Sequence, residues 1–366
     1  VALAPLETRL PEAPQIIPSA RRLGTPTRLF YGFGSVAFGV KDSGFSYFLL
    51  IFYNQVLGLP AATVGLAIMI ALLADAFLDP IIGQISDNWR SGWGRRHPLM
   101  YAAALPVGVS YLLLWNPPVG WSHEALFFYL IAVAILIRSF ISLYEIPSAA
   151  LAAELTSEYD ERTRLLSYRY LFGWIGGLGM VFLTLWVFLT PDDPATVGQL
   201  ARAGYSNYGL AAGALMFIAI MVSALGTHRQ IPHLRSPPER KLNLPTFLRE
   251  MVGTLAHGSF LAVLASSLFN AAAVGLVFSI NLYINTFFWE FGSREIAQFT
   301  AANLLAALGA FAIAAPLSRR FGKRASAMVL IAGSLAFICG PITLRLLDAF
   351  PVNGSPALFP ALFVQQ

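Results

Sequence analysis

Charge is scarce in this sequence. Asp, Glu, Lys and Arg make up 12% of its 366 residues, about half the share of an ordinary soluble domain. Hydrophobic residues reach 57% and the mean hydropathy is +0.65. A soluble protein with one large core is excluded by how the apolar residues are arranged. They fall in blocks of about 20, each able to cross roughly 30 Å of hydrocarbon as a helix, whereas soluble core helices are shorter and amphipathic. Cysteine is nearly absent: the single Cys339 rules out an internal disulfide. The five histidines lack metal-ligand spacing, and neither a nucleophile elbow nor a zinc-protease motif occurs. An enzyme, a resident metal and an organic cofactor are therefore not expected. The first 27 residues are Pro-rich and polar and lack an apolar core. They read as a disordered cytoplasmic tail rather than a signal peptide.

Nine complete spans are expected, roughly at Leu29–Val56, Ala61–Ile85, Leu99–Trp115, Ala125–Ala153, Tyr170–Thr190, Tyr208–Leu225, Phe260–Trp289, Ile296–Leu317 and Ala325–Leu346. A further apolar run begins near Pro356. With the N-terminus placed inside, 19 of the 24 Lys and Arg residues fall in inside segments. Three, Arg202, Arg294 and Arg345, fall outside, and Lys41 and Arg138 lie within spans. One missed helix would invert every later loop, so this asymmetry supports the span count through the positive-inside rule. It also accounts for the pI of about 9.4 without nucleic acid, which would need basic residues interleaved with aromatics along one groove.

The longest inside loop carries Pro232, Pro237, Pro238 and Pro245 among charges, and it divides the spans six to three. The expected organisation is a tail (1–27), a six-helix bundle (28–226), a cytoplasmic linker (227–254) and an incomplete second bundle (255–366). A weak repeat supports the division. The turn after span 2 holds Gly83, Asp87, Gly94, Arg95 and Arg96; the turn after span 8 holds Arg319, Arg320, Gly322, Lys323 and Arg324. Each lies two helices into its bundle. Paired bundles are a transporter architecture. By this symmetry about three further helices would follow Gln366, so the sequence reads as truncated.

At least six ionisable residues lie inside the spans. Each costs roughly 2.5–3.5 kcal/mol at mid-bilayer on insertion scales. Asp75 and Asp79, spaced i, i+4 in span 2, share one helix face about a turn apart. Unpaired, they would repel, and a captured cation or a shared proton would relieve them. Arg138, Ser142 and Glu145 share one face of span 4, and Lys41 and Asp42 lie midway along span 1. If these faces meet in one cavity, four carboxylates face two cations, and one bound cation leaves a charge for a polar solute. The competing arrangement is an interhelical ion pair, such as Arg138 with Asp75. Asn270 and Asn281, with Asn285, place amides in span 7, where cavity lining and interhelical hydrogen bonds are equally plausible. Gly32-x-Gly34, Gly173-x-x-x-Gly177 and Gly209-x-x-x-Gly213 read as close helix contacts.

Several segments resemble one known family. Tyr31-Gly-Phe-Gly34, Lys41-Asp42, Phe52-Tyr53 and Val56-Leu-Gly-Leu59 are similar to the first helix of the glycoside–pentoside–hexuronide:cation symporters. These form the melibiose-permease-like branch of the major facilitator superfamily. Asp75-Ala-Phe-Leu-Asp79-Pro80-Ile-Ile-Gly83 resembles their second helix, and Ser91-Gly-Trp-Gly-Arg95-Arg96-His-Pro98 the loop after it. Glu145-Ile-Pro147, Ala150-Leu-Ala-Ala-Glu154-Leu-Thr156 and Tyr159-Asp-Glu-Arg162-Thr-Arg164 with Arg169 resemble the fourth helix and the loop beyond. The match runs in order over the first 180 residues or so.

The resemblance implies an all-α polytopic membrane protein with two pseudo-symmetric six-helix bundles, here ending after about nine helices. It implies that Asp75 and Asp79 bind the coupling ion, H+ or Na+, with Ser142 nearby. It implies that Asp42, Glu145 and Arg169 contact a sugar-like solute; Lys41, Arg138, Asn270 and Asn281 join the candidate solute residues. Gly83, Asp87, Gly94, Arg95 and Arg96 would form a cytoplasmic gate. Two departures stand out. Leu78 replaces an Asn tied to sodium, which favours a proton or sodium held by fewer ligands, and Ala149 replaces a Trp that stacks on sugar. The expected protein is a monomer in a bacterial-type cell membrane, moving solute and monovalent cation together by alternating access. A lysolipid symporter, a drug/proton antiporter and a non-transporting membrane sensor are the alternatives.

Overall fold

The computed structural model describes residues 23–190, 197–234, 253 and 258–363. Most of the N-terminal tail and residues 235–252 of the expected linker lie outside them. Helix α1 spans Thr25–Val56, α2 Ala61–Asn88, α3 His97–Trp115, α4 His123–Leu155, α5 Tyr159–Phe188 and α6 Arg202–His228. Then α7 runs over Gly258–Tyr283 and on through a wide turn at Ile284–Phe288, α8 over Ser293–Phe321, α9 over Lys323–Leu346 and a short α10 over Leu358–Phe363. Eight of these helices contain a window long and apolar enough to cross a bilayer. Helix α8 occupies the eighth expected span, and its side chains from 311 to 319 lie outside the described residues.

The largest boundary correction is in α5. The charged run Tyr159–Arg164, expected as loop, is the first turn and a half of the helix. Asp160 and Glu161 lie in that first turn, where the partial positive charge of the helix N-terminus favours carboxylates. Glu161 is buried and takes a forked ion pair from Arg28, at 2.6 Å to Nε and 3.1 Å to Nη2. The fork ties the start of α1 to the start of α5. Arg28 and Arg169, counted from sequence with the inside loops, are thus helix residues with partners.

Helix α1 packs against α5 and α6, α3 against α4 and α6, and α2 against α4. Small residues bring these backbones together, as expected for helices that gain little from hydrophobic burial in lipid. A Cβ on Gly39 would lie 1.9 Å from the Gly173 carbonyl oxygen, and one on Gly213 2.6 Å from that of Gly108. The three glycine spacings are therefore helix contacts. Aromatic rings close the end of the bundle away from the Arg95–Arg96 turn. Trp115 stacks on Tyr205 at 5.7 Å. Tyr111 and Tyr208 share a 2.6 Å hydrogen bond between hydroxyls, and Tyr53 donates to the Leu114 carbonyl at 2.9 Å, so these buried polar tips are satisfied. Outward-facing side chains are apolar and large, Phe77, Leu105, Phe128 and Leu210 among them, as a hydrocarbon solvent requires.

A direct test of the α1–α5 contact compares two glycines one turn apart or less. Gly177→Val would drive its Cβ to 2.4 Å from Ser43 Oγ and 2.8 Å from the Gly39 carbonyl oxygen, whereas Gly179 has nothing within 4 Å. Thermal unfolding of the full-length protein should show Gly177→Val losing about 1–3 kcal/mol or more, with Gly179→Val near wild type. Equal melting temperatures would contradict the contact.

Among the described residues, the buried contacts of α7 and α8 with the first six helices lie at one end. Residues 260–277 of α7 are exposed wherever described, while Leu282 and Trp289 are buried; in α8, Ile296 and Ala297 are buried. The contacts are made with Gly44–Ile51 of α1 and with α5. Tyr283 donates to Asn54 Oδ1 at 3.0 Å, Gln199 donates to the Phe291 carbonyl at 2.9 Å, and Ser293 donates to Gln199 Oε1 at 3.2 Å. All lie at the end opposite the Arg95–Arg96 turn.

Two local features repeat between the halves. Wide, π-type turns end both α1 (Phe52–Val56) and α7 (Ile284–Phe288). Left-handed glycines, Gly94 (φ 77°) and Gly322 (φ 79°), follow α2 and α8. Only glycine takes such angles without strain. This explains why both short basic turns contain one.

Candidate functional site

Seven charged side chains sit within the first bundle away from its basic end: Lys41, Asp42, Asp75, Asp79, Arg138, Glu145 and Arg169. Six of them form three ion pairs. Helix α4 carries one partner for α2 and another for α5, because Arg138 and Glu145 lie seven residues, about two turns, apart.

The first pair joins α4 to α2. Arg138 donates to Asp75 Oδ2 from Nε at 3.0 Å and from Nη2 at 2.5 Å, and Ser142 Oγ donates to the other oxygen at 3.4 Å. Both carboxylate oxygens of Asp75 are thus engaged. The interhelical alternative weighed from sequence is the observed arrangement at Asp75. The second pair joins α4 to α5. Arg169 Nη2 donates to Glu145 Oε1, and its Nη1 donates to Ser148 Oγ at 3.0 Å. The guanidinium lies 5.9 Å from the centre of the Tyr31 ring, and the other Glu145 oxygen, Oε2, is buried without a hydrogen-bond partner. The third pair is local to α1. Lys41 Nζ, buried, lies 3.6 Å from Asp42 Oδ1 and 4.5 Å over the Phe38 ring. The Asp42 side chain is 61% exposed and so is presented to whatever fills the adjoining space.

Asp79 is the remainder. Its side chain is half-buried, it has no ionic partner among the described residues, and its Oδ1 is buried with no hydrogen bond. Pro80 follows it inside α2. Proline has no N–H to give the carbonyl one turn back, so the helix is loosened beside this carboxylate. Leaving a buried acceptor unmade costs about 1–3 kcal/mol, more when it is charged.

The span 7 amides are not all brought together. Asn270 is exposed on α7, whereas Asn281 lines a cavity of about 850 Å³ together with Asn285, Thr300, Asn303, Ser334 and Tyr47. Asn285 donates to the Asn281 side chain at 3.0 Å. Tyr47 comes from α1, so the first half supplies part of this wall. Asn285 was visible in the sequence as a polar residue in a span; Asn303 and Tyr47 were not singled out.

The basic turn after α2 is a charge cluster built on Glu154 at the end of α4, a residue without a predicted role. Arg95 Nη2 and Arg96 Nε both donate to Glu154 Oε1, at 2.6 and 2.8 Å. Arg96 also donates to Ser86 Oγ at 2.7 Å and pairs with Asp87 at 2.6 Å. Arg96 and Glu154 are buried, while Asp87 is 60% exposed. The cluster locks the ends of α2, α3 and α4 together. Gly94 makes the turn and packs under Ile231; Gly83 faces Ile146 of α4 at ordinary contact distance. In the matching turn, Arg320 lies over the Phe321 ring at 5.5 Å, while the side chains of Arg319, Lys323 and Arg324 lie outside the described residues.

Long apolar helices, lipid-facing exteriors and a charged interior define a multi-pass membrane protein. The chain belongs to the MFS/sugar transport protein family, whose model matches residues 30–364. It is 35% identical to an uncharacterized symporter of Synechocystis over 217 residues, covering 57% of this chain and 39% of that one. It is 22% identical to the glucuronide carrier protein homolog of Escherichia coli, covering 87% of this chain and 67% of that protein. It is also 26% identical to the mouse sphingosine-1-phosphate transporter MFSD2B, covering 84% and 63%. The first of these alignments spans well under half of the relative's length.

Proposed function

We propose that the full protein is a secondary transporter, not an enzyme, that carries a small hydroxyl-bearing solute of the sugar or glycoside class together with one monovalent cation, H+ or Na+. One observation carries the reading: Asp79 is the only one of the seven interior charges left without a partner. Three neutral pairs and one bare carboxylate sum to a charge of −1, which a single monovalent cation neutralises. Burying a charge uncompensated at this depth is unfavourable by roughly 2.5–3.5 kcal/mol, so the cation-free cavity resists closing and the loaded one does not.

The solute is assigned to Asp42, Lys41, Glu145 and Arg169 on the first bundle, with Asn281, Asn285 and Asn303 lining the cavity that Tyr47 of α1 helps to wall. Carboxylates and amides arranged around open space suit hydroxyl groups, which both donate and accept. The carrier's relatives include a glucuronide carrier homolog, which supports that solute class. The contact of α7 and α8 with α1 and α5 at one end supports a state closed at that end, away from the basic turns. With the N-terminus cytoplasmic, as the positive-inside rule implies, that state opens inward. Rocking of the first bundle against the second would expose the cavity alternately. In this scheme the Glu154 cluster and the Gly322 turn brace the cytoplasmic ends.

A second reading, a lysolipid or other amphiphile as solute, draws on the sphingosine-1-phosphate relative. Counterflow into proteoliposomes of the full-length protein separates the two. Labelled hexosides, pentosides and hexuronides on one side, and lysophospholipid on the other, are tested with pH and Na+ varied. The sugar reading expects counterflow of at least one glycoside, lost at least about tenfold in Arg169→Ala because the half-buried Glu145 is then left unpaired. Counterflow of lysophospholipid alone would replace the sugar reading, and none of either would refute both.

A further inference from the structure

Arg138 has no role in the proposal above beyond pairing, yet it alters what kind of ion the site can take. The inference rests on the symport reading. Two acids one helical turn apart could offer a cation up to four oxygens. Here both oxygens of Asp75 already receive internal donors, Oδ2 from Arg138 Nε and Nη2 and Oδ1 from Ser142 Oγ. Only Asp79 is left, with Oδ1 buried and unpartnered.

We infer that Arg138 is a built-in cation that occupies the Asp75 half of the acid pair, excludes Na+ from it, and leaves at Asp79 a carrier for one proton. Ligand number separates the two ions. A sodium ion gives up its water only where several oxygens replace it, as in pores whose oxygen rings stand in for a hydration shell. One carboxylate cannot supply that shell. A proton needs a single oxygen.

The groups facing this position can be named from each packed element. From α4 they are Arg138, Ser142 and Glu145; Arg169 holds Oε1 of Glu145, and Oε2 is buried without a hydrogen-bond partner. From α1 they are Lys41 and Asp42, paired with each other. On α2 itself the neighbour is Asp75. Every cation among them is already committed to another acid, so none is free to neutralise Asp79.

The test is binding of radiolabelled Na+ to the purified full-length protein, with choline as the control salt and thermal shift as a second readout. Wild type is expected to bind no Na+ above the control at about 100 mM and to show no Na+-dependent rise in melting temperature. Arg138→Gln removes the internal cation and frees Asp75. It is expected to bind about one Na+ per chain and melt a few degrees higher in Na+ than in choline. Arg138→Gln combined with Asp79→Asn should lose that binding at least tenfold. Saturable Na+ binding by wild type that Asp79→Asn abolishes would overturn the inference, whether or not the arginine variant folds. A folded Arg138→Gln or Arg138→Met protein that ignores Na+ would overturn it too. Failure of the parent reading looks different: no solute would show counterflow in any salt, whatever the Na+ result.

Discussion

Asp79→Asn is expected to abolish cation-driven accumulation of solute, by at least about 100-fold in initial rate under an inward cation gradient, which corresponds to about 2.7 kcal/mol of coupling. Exchange of labelled for unlabelled solute across equal concentrations should survive within a few fold. The asymmetry follows from the geometry. Asn is isosteric with Asp and carries no charge, so it mimics a permanently neutralised site: the cavity closes without waiting for a cation, and solute passes uncoupled. Asp75→Asn is expected to behave differently. It removes the partner of a half-buried Arg138, and breaking such a pair by deleting one member costs about 3–5 kcal/mol. Its main effect should therefore be a lower melting temperature and poor yield, not clean uncoupling. Two acids on one helix face, four residues apart, thus produce two distinct phenotypes, and uptake with melting measured on both variants separates them.

The second large effect belongs to Glu154. A single carboxylate oxygen there accepts from both Arg95 and Arg96, and Arg96 and Glu154 are almost fully buried. Glu154→Leu removes the buried acid that two guanidinium groups share and leaves Arg96 with only Ser86 and the exposed Asp87. We expect a loss on the order of 3–5 kcal/mol in stability, read as a large drop in melting temperature of the purified protein. Arg95→Leu should cost far less, because Arg96 keeps its bonds to Glu154, Ser86 and Asp87. Substituting Asp87, whose side chain is more than half exposed, should cost about 1 kcal/mol or less, the scale of exposed pairs. A mild Glu154 variant beside a severe Asp87 variant would mean that the cluster is organised around the other acid.

Much of this was legible in the sequence, for identifiable reasons. Blocks of some 20 apolar residues fix where helices cross, so α2, α3 and α4 begin and end within two or three residues of expectation. The i, i+4 spacing of Asp75 and Asp79 and the i, i+4, i+7 spacing of Arg138, Ser142 and Glu145 fix which side chains share a face. Periodicity on one helix does not say which helix stands opposite. That is why the pairing of Asp75 with Arg138 appeared only as an alternative, and why Asp79 emerged alone only once the helices were placed together. Glu154 escaped for the same reason: its partners lie 59 and 58 residues away in sequence. The start of α5 was hidden by its charges. Tyr159–Arg164 looks like loop by composition, yet its acids sit where a helix N-terminus favours them and one is satisfied by Arg28 from another helix. The wide turns ending α1 and α7 leave no composition signal at all.

One bare carboxylate carries one cation for each solute moved in this mechanism. The most direct measurement is the number of protons that enter with each solute, read from simultaneous pH and radiolabel uptake in proteoliposomes of the full-length protein. The expected ratio is about one, falling to zero in Asp79→Asn while solute still equilibrates. A ratio of two, meaning that Asp75 also loads, or a ratio unchanged in Asp79→Asn, would contradict it.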